Sequence, residues 1–175
     1  ALDNSRGGEI STPADLTLNA VQLDNSGGLI SSGQNLRVRI DGLLRNSLQG
    51  LLTAARDLKV EAGMIDNRQQ GALIGRDNVA VHARVLDNRQ QGEILAGQQL
   101  EITADDLDNS EEGLIHAAGE LALHSLGHVK NGESGEISSQ NALQLTLNTL
   151  DNTQGGVIVS SEQLKVAAHA LDNSD

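Results

Sequence analysis

Residues 150–173 read Leu-Asp-Asn-Thr-Gln-Gly-Gly-Val-Ile-Val-Ser-Ser-Glu-Gln-Leu-Lys-Val-Ala-Ala-His-Ala-Leu-Asp-Asn, a stretch that closes on the three residues it opened with. The same pattern extends back to the start of the chain. Asn recurs at Asn4, Asn25, Asn46, Asn67, Asn88, Asn109, Asn131, Asn152 and Asn173, in steps of 21 except for one step of 22 before Asn131. Asp precedes it at Asp3, Asp24, Asp66, Asp87, Asp108, Asp151 and Asp172, and Arg45 and Lys130 take that place in the other two copies. The residue before that is always aliphatic, from Leu2 to Leu171. A fixed period of this length marks a repeat architecture and overrides any local guess at helix or strand.

Within the repeat, Gly falls four residues after Asn in seven copies, as at Gly8, Gly50 and Gly156, and three after it at Gly28, where the second repeat is one residue short. Aliphatic residues then alternate with period two, first around Ile10, Ile30 and Leu52, then in runs such as Leu58-x-Val60-x-Ala62. Three heptads also make 21, but strict alternation and a Gly in every copy suit no coiled coil. A leucine-rich repeat shares the strand and Asn turn, yet needs a helical segment where this chain has turn plus strand. The sequence therefore predicts an all-β fold, a right-handed parallel β-helix (solenoid) over residues 1–175, with about eight coils of 21 residues and about three short strands in each. Coils stacked about 4.8 Å apart make a rod of roughly 38 Å.

Each column of such a stack has an expected role. The aliphatic columns fill a narrow interior, and the Asn column reads as an internal amide ladder that satisfies turn backbone groups. Gly in the turn is expected to supply a positive φ, and Asp before Asn to accept a backbone N–H in a tight turn. The Asp column has a second reading as a cation-binding stripe, which is disfavoured because one carboxylate per coil offers too few ligands. Arg45 and Lys130 then relieve repulsion within that column.

Composition narrows the function classes. The chain has no Phe, Tyr, Trp or Cys and a net charge of −12. Without rings there is no platform for stacking bases, and the charge opposes a phosphate backbone, so no nucleic-acid partner is expected. Without Cys there is no disulfide framework or thiolate nucleophile, and a chain that crosses membranes unfolded gains by that. No run approaches the eighteen apolar residues of a membrane span, and residues 1–8 lack a signal-peptide pattern, so the chain reads as already processed or cut from something longer. No Asn-x-Ser/Thr sequon occurs.

Candidate binding residues are few. Arg37, Arg39 and Lys59 form one local basic patch, suited to an anionic glycan or a neighbouring protein. Leu29, Leu51 and Ala72 replace Glu in successive copies of one column, with Leu48 close by; either this is a lateral contact or Leu48-Gln49-Gly50-Leu51-Leu52 shifts which Leu points inward. His116, His124 and His128 share one coil, and a bulge near Ser125-Leu126-Gly127 would bring two imidazoles together. No carboxylate pair or nucleophile–base pair converges, so no enzyme, catalytic residue, metal or cofactor is expected.

The motif Leu-Asp-Asn-x-x-Gly-Gly-x-Ile-x-Ser-x-x-x-Leu-x-Leu-x-Ala-x-x-Leu-Asp-Asn, clearest at residues 2–25 and 150–173, resembles the haemagglutinin repeats of filamentous haemagglutinin and of contact-dependent growth-inhibition (CdiA-like) effectors. That resemblance implies a secreted, cell-surface exoprotein of Gram-negative two-partner secretion, passed unfolded through an outer-membrane transporter and folded outside. It implies a shaft that projects a receptor-binding or toxin module towards a receptor or glycan on a target cell. It does not separate adhesin from toxin-delivery filament. On this reading the chain is an excised stretch of a longer filament, with uncapped coils suited to end-to-end stacking. The alternative is that the segment is itself the adhesive module.

Overall fold

The computed structural model describes all 175 residues, and every regular element in it is a β-strand. Each coil contributes a four-residue strand, as at Ala72–Gly75, and a longer one, as at Val79–Asp87. The short strands stack as an eight-stranded parallel sheet and the long ones as a ten-stranded parallel sheet. Equivalent residues pair from coil to coil: Val79 with Leu58 and Leu100, and Leu100 with Leu121. The chain is thus a β-solenoid of about eight turns.

Where three short strands per coil were expected, the second and third run together into one bent strand. Inward residues alternate at Val79, Val81 and Ala83, then skip two positions to Leu86. That skip is the corner, and only in the first coil does it break the strand, into Leu16–Ala20 and Leu23–Asp24. Two corners carry an extra residue, in the ten-residue strands Leu36–Arg45 and Leu121–Lys130, with register shifts beside Ile40 and Ser125. The first compensates the short turn after Asn25, which is why the step from Asn25 to Asn46 stays at 21.

The inward columns form one cluster of 33 buried aliphatic residues running along the rod. Buried polar residues are only Asn and Ser, with no buried charge, and every buried side-chain nitrogen and oxygen has a hydrogen-bond partner. A core this narrow is filled by Leu, Ile, Val and Ala, and a ring in one layer would overpack it. No helix is long and apolar enough to cross a membrane.

Candidate functional site

The first turn of each coil carries most of the repeated chemistry. Asn25, Asn46, Asn67, Asn88, Asn109 and Asn131 are wholly buried. Asn88 Nδ2 donates to Asn109 Oδ1 at 2.7 Å and to the Gly92 carbonyl at 2.9 Å, while its Oδ1 accepts from Asn67 Nδ2 at 2.7 Å. The same donation runs in one direction from Asn4 to Asn173, unbroken across the longer step before Asn131. Each amide ties its own turn to the next coil.

Outside this ladder, Asp3, Asp24, Asp66, Asp87, Asp108, Asp151 and Asp172 each accept the backbone N–H two residues on, at 2.9 to 3.4 Å. The Ser174 hydroxyl and then its amide hold the Asp172 carboxyl below the usual carboxylate range; the Ser26 hydroxyl, and less strongly its amide and Arg45, do so for Asp24. Arg45 lies 3.7 Å from Asp24, whereas Lys130 makes no ion pair. Most of the relief in the column comes from two residues the sequence did not single out. Arg68 bridges Asp66 at 2.9 Å and Asp87 at 3.4 Å, and Arg89 bridges Asp87 at 2.9 Å, Asp108 at 3.7 Å and Glu111 at 3.3 Å. Hydrogen bonding to Asp87 raises the Arg89 guanidinium further above its ordinary range.

The expected role of the turn Gly is corrected. Gly8, Gly50, Gly71, Gly92, Gly113, Gly135 and Gly156 do not have positive φ. They are Gly because backbone packs against them: a Cβ on Gly113 would lie 2.5 Å from the Asn88 carbonyl oxygen of the coil before and 2.7 Å from that of Asn109. Left-handed conformations fall just upstream, on Gly7, Gly27 and Gly155 where Gly is present, but also on Leu48-Gln49, Gln69-Gln70, Gln90-Gln91 and Glu111-Glu112. Two consecutive left-handed residues closed by a bond such as Gly50 N–H to Ser47 O at 3.0 Å make a type I′ turn. On this exposed ridge Gln49, Gln70, Gln91 and Glu112 form a second ladder at 2.7 to 2.9 Å.

The candidate binding patch divides between two surfaces. Arg37, Arg39 and Lys59 project from the long strands; Lys59 is held by Glu61 at 2.7 Å, and Arg37 and Arg39 make no ion pair. Leu48, 58% exposed, and Leu51 belong to the turn and the short-strand face. Leu52 points inward in register with Ile30 and Leu73, so Leu51 faces outward and no inversion occurs.

The histidines do not converge. His116 Nδ1 meets Ser138 Oγ at 2.8 Å on the short-strand face, His128 Nδ1 meets Thr149 Oγ1 at 2.7 Å beyond the corner, and His124 projects from the strand before it. No three His, Asp or Glu are grouped to hold a metal ion. The bulge instead lifts Leu126 to 68% exposure, with the His128 amide donating to Asp106 at 2.8 Å. The same corner exposes Val21 and Met64, with Leu43 and Val85 flanking Met64 in register; nothing in the column spacing marked it.

A family model described as haemagglutinin repeat matches residues 1–47, 49–125 and 126–175. No curated protein matches the sequence, and no solved structure does.

Proposed function

This chain belongs to the haemagglutinin-repeat family, and from that premise we propose that it is a stretch of rigid shaft that holds a recognition or toxin module away from a bacterial surface. Haemagglutinin repeats in a β-solenoid fit a structural segment of a filamentous adhesin, and such repeats typically occur in secreted surface adhesins. The observation that carries the reading is mechanical continuity. Two parallel sheets run through eight coils, with bulges at only two corners, and the amide ladder crosses them without a gap, so bending the rod must stretch backbone and side-chain bonds together. Export through an outer-membrane transporter suits the chain's lack of Cys. A receptor or glycan on the target cell is then the business of the module the shaft carries, in an adhesin or a toxin-delivery protein alike.

A second reading rests on Arg37 and Arg39, two cations on the long-strand face that make no close ion pair, which would make the segment itself adhesive. One experiment separates them: binding of the labelled chain to intact bacterial and host cells, with unlabelled chain as competitor across a salt series. The shaft reading expects no saturable binding. Saturable, competed binding that falls with salt and is lost in a folded Arg37→Ser, Arg39→Ser, Lys59→Ser variant overturns it in favour of adhesion.

A further inference from the structure

The two outer faces of the solenoid are chemically unlike. On the long-strand face no outward residue between the corners is Leu, Ile or Val; the positions run Thr17 and Asn19, Arg37 and Arg39, Lys59 and Glu61, and onward in that style. On the short-strand face, with the same alternation, Leu29, Leu51, Ile74, Leu95 and Leu114 all point outward in coils 2 to 6. That face carries no Lys or Arg, and its only charges are Glu9, Glu93 and Glu136. The strands of coils 2 to 6 are paired on both sides within a continuous sheet, so a partner of these five residues must lie flat on their side chains and cannot add a strand alongside them.

Charge is also unevenly spread along the rod. Residues 1–89 hold ten Lys plus Arg against ten Asp plus Glu, a net of zero, while residues 90–175 hold two against fourteen, a net of −12. The division falls at Arg89, between the fourth and fifth of eight coils.

We propose that the short-strand face binds a second copy of this chain, side by side and antiparallel, about a two-fold axis at the middle of the rod. A parallel pair would lay the acidic half of one copy on the acidic half of the other; the antiparallel pair lays it on the neutral half. A two-fold between coils 4 and 5 sets Leu51 against the partner copy's Leu114 and Ile74 against its Leu95. In this alignment no carboxylate meets another: Glu93 falls opposite Ala72 and Glu136 opposite Leu29, both in the column next to the turns, where they stay wet. Arg56, exposed and only loosely tied to Asp77 at 3.9 Å, comes over the turn that carries Glu120. Four residues of strand by eight coils give a flat contact of roughly 13 by 38 Å, about 500 Å² from each copy. That is near the smallest area of a specific interface, so the isolated pair is a weak one. Two shafts anchored on facing surfaces meet in this polarity, a consequence that rests on the shaft reading, whereas the pairing itself does not.

Sedimentation of the 175-residue chain at physiological salt tests the pairing. The expected result is a monomer–dimer equilibrium that shifts with concentration, weakened at least tenfold by Leu51→Gln with Leu95→Gln and unchanged by Leu126→Gln at the corner, with circular dichroism checking that each variant folds. Polarity is tested in the Cys-free background with a short bismaleimide. A Thr53→Cys chain mixed with a His116→Cys chain cross-links, and neither does so alone, because coil 3 faces coil 6. A monomer at every attainable concentration, an unaffected Leu51→Gln/Leu95→Gln variant, or self-cross-linking of Thr53→Cys would overturn the proposal. Cell-binding results bear on the shaft reading and leave this one untouched.

Discussion

Replacing Asn88 with Ala tests the amide ladder at its centre. Asn88 is wholly buried; it donates to Asn109 Oδ1, to the Gly92 carbonyl and, at 3.3 Å, to the Leu114 carbonyl, and accepts from Asn67. Asn67 keeps its bonds to the Gly71 and Glu93 carbonyls, so the lasting damage is at Asn109 Oδ1, a buried acceptor left without its donor. Lost bonds of about 1 kcal/mol each and an orphaned acceptor of about 1–3 kcal/mol give a cost of about 4 kcal/mol. With a urea slope of about 2 kcal/mol per M, the midpoint should fall by about 2 M. Asn173→Ala removes only an acceptor at the exposed end, and Asn152 retains its bond to the Gly156 carbonyl, so the cost there should stay below about 1 kcal/mol. Asn88→Asp sharpens the test, because it keeps the shape while directing a carboxylate at the oxygens the amide served. Its folded pKa must rise above the unfolded value of about 3.9, so its stability relative to Asn88→Ala should be greatest below that pH and be lost as pH rises. Equal costs at Asn88 and Asn173, or an Asn88→Asp chain as stable as the parent at pH 7, would refute the ladder's role.

Gly113→Ala should destabilise by more than about 3 kcal/mol through collision with the Asn88 carbonyl, whereas Gly7→Ala, left-handed but with open space around it, should cost about 1 kcal/mol; urea titration separates close approach from φ. Arg89→Met leaves Asp87, Asp108 and Glu111 facing one another, and its cost of about 1–2 kcal/mol should shrink between low and high salt; a salt-independent loss would mean the stem's packing matters more than the charge. Asp24 and Asp172 bind protons less readily folded than unfolded, so the stability they lend is complete above about pH 3.9 and lost as pH falls through their lower folded values. Carboxyl NMR titration placing the Asp24 midpoint at or above about 3.9 contradicts that assignment.

The solenoid and its Asn ladder were legible because both follow from identity at fixed spacing: one residue per coil, in the same place, stacks on itself. What lies between coils was not legible. Gly71 and Gly7 look alike in sequence, yet one is excluded from growing a Cβ by the neighbouring coil's carbonyl and the other supplies a left-handed φ. Gln69-Gln70 carries no type I′ signature, and its conformation is held from above, as by the Gln70 N–H to Gln90 O bond at 3.0 Å. Arg68 and Arg89 follow the Asp column by two residues, and only stacking shows that they interleave with it. The bent long strand reads in sequence as two, since its corner appears there only as a doubled gap between aliphatic residues.

What is particular to this stretch of solenoid lies outside its repeated columns. A residue present in every coil is explained by the coils above and below it, and any stretch of the same solenoid would need it. Specific recognition must therefore lie in what does not repeat. β-Propensity alone does not account for Leu29, Leu51, Ile74, Leu95 and Leu114, because it acts equally on the long-strand face, where Arg37, His82, Glu101 and Gln144 stand at equivalent outward positions. The two faces meet the same water, so Leu and Ile present on one and absent from the outward columns of the other point to a difference in what each is meant to touch.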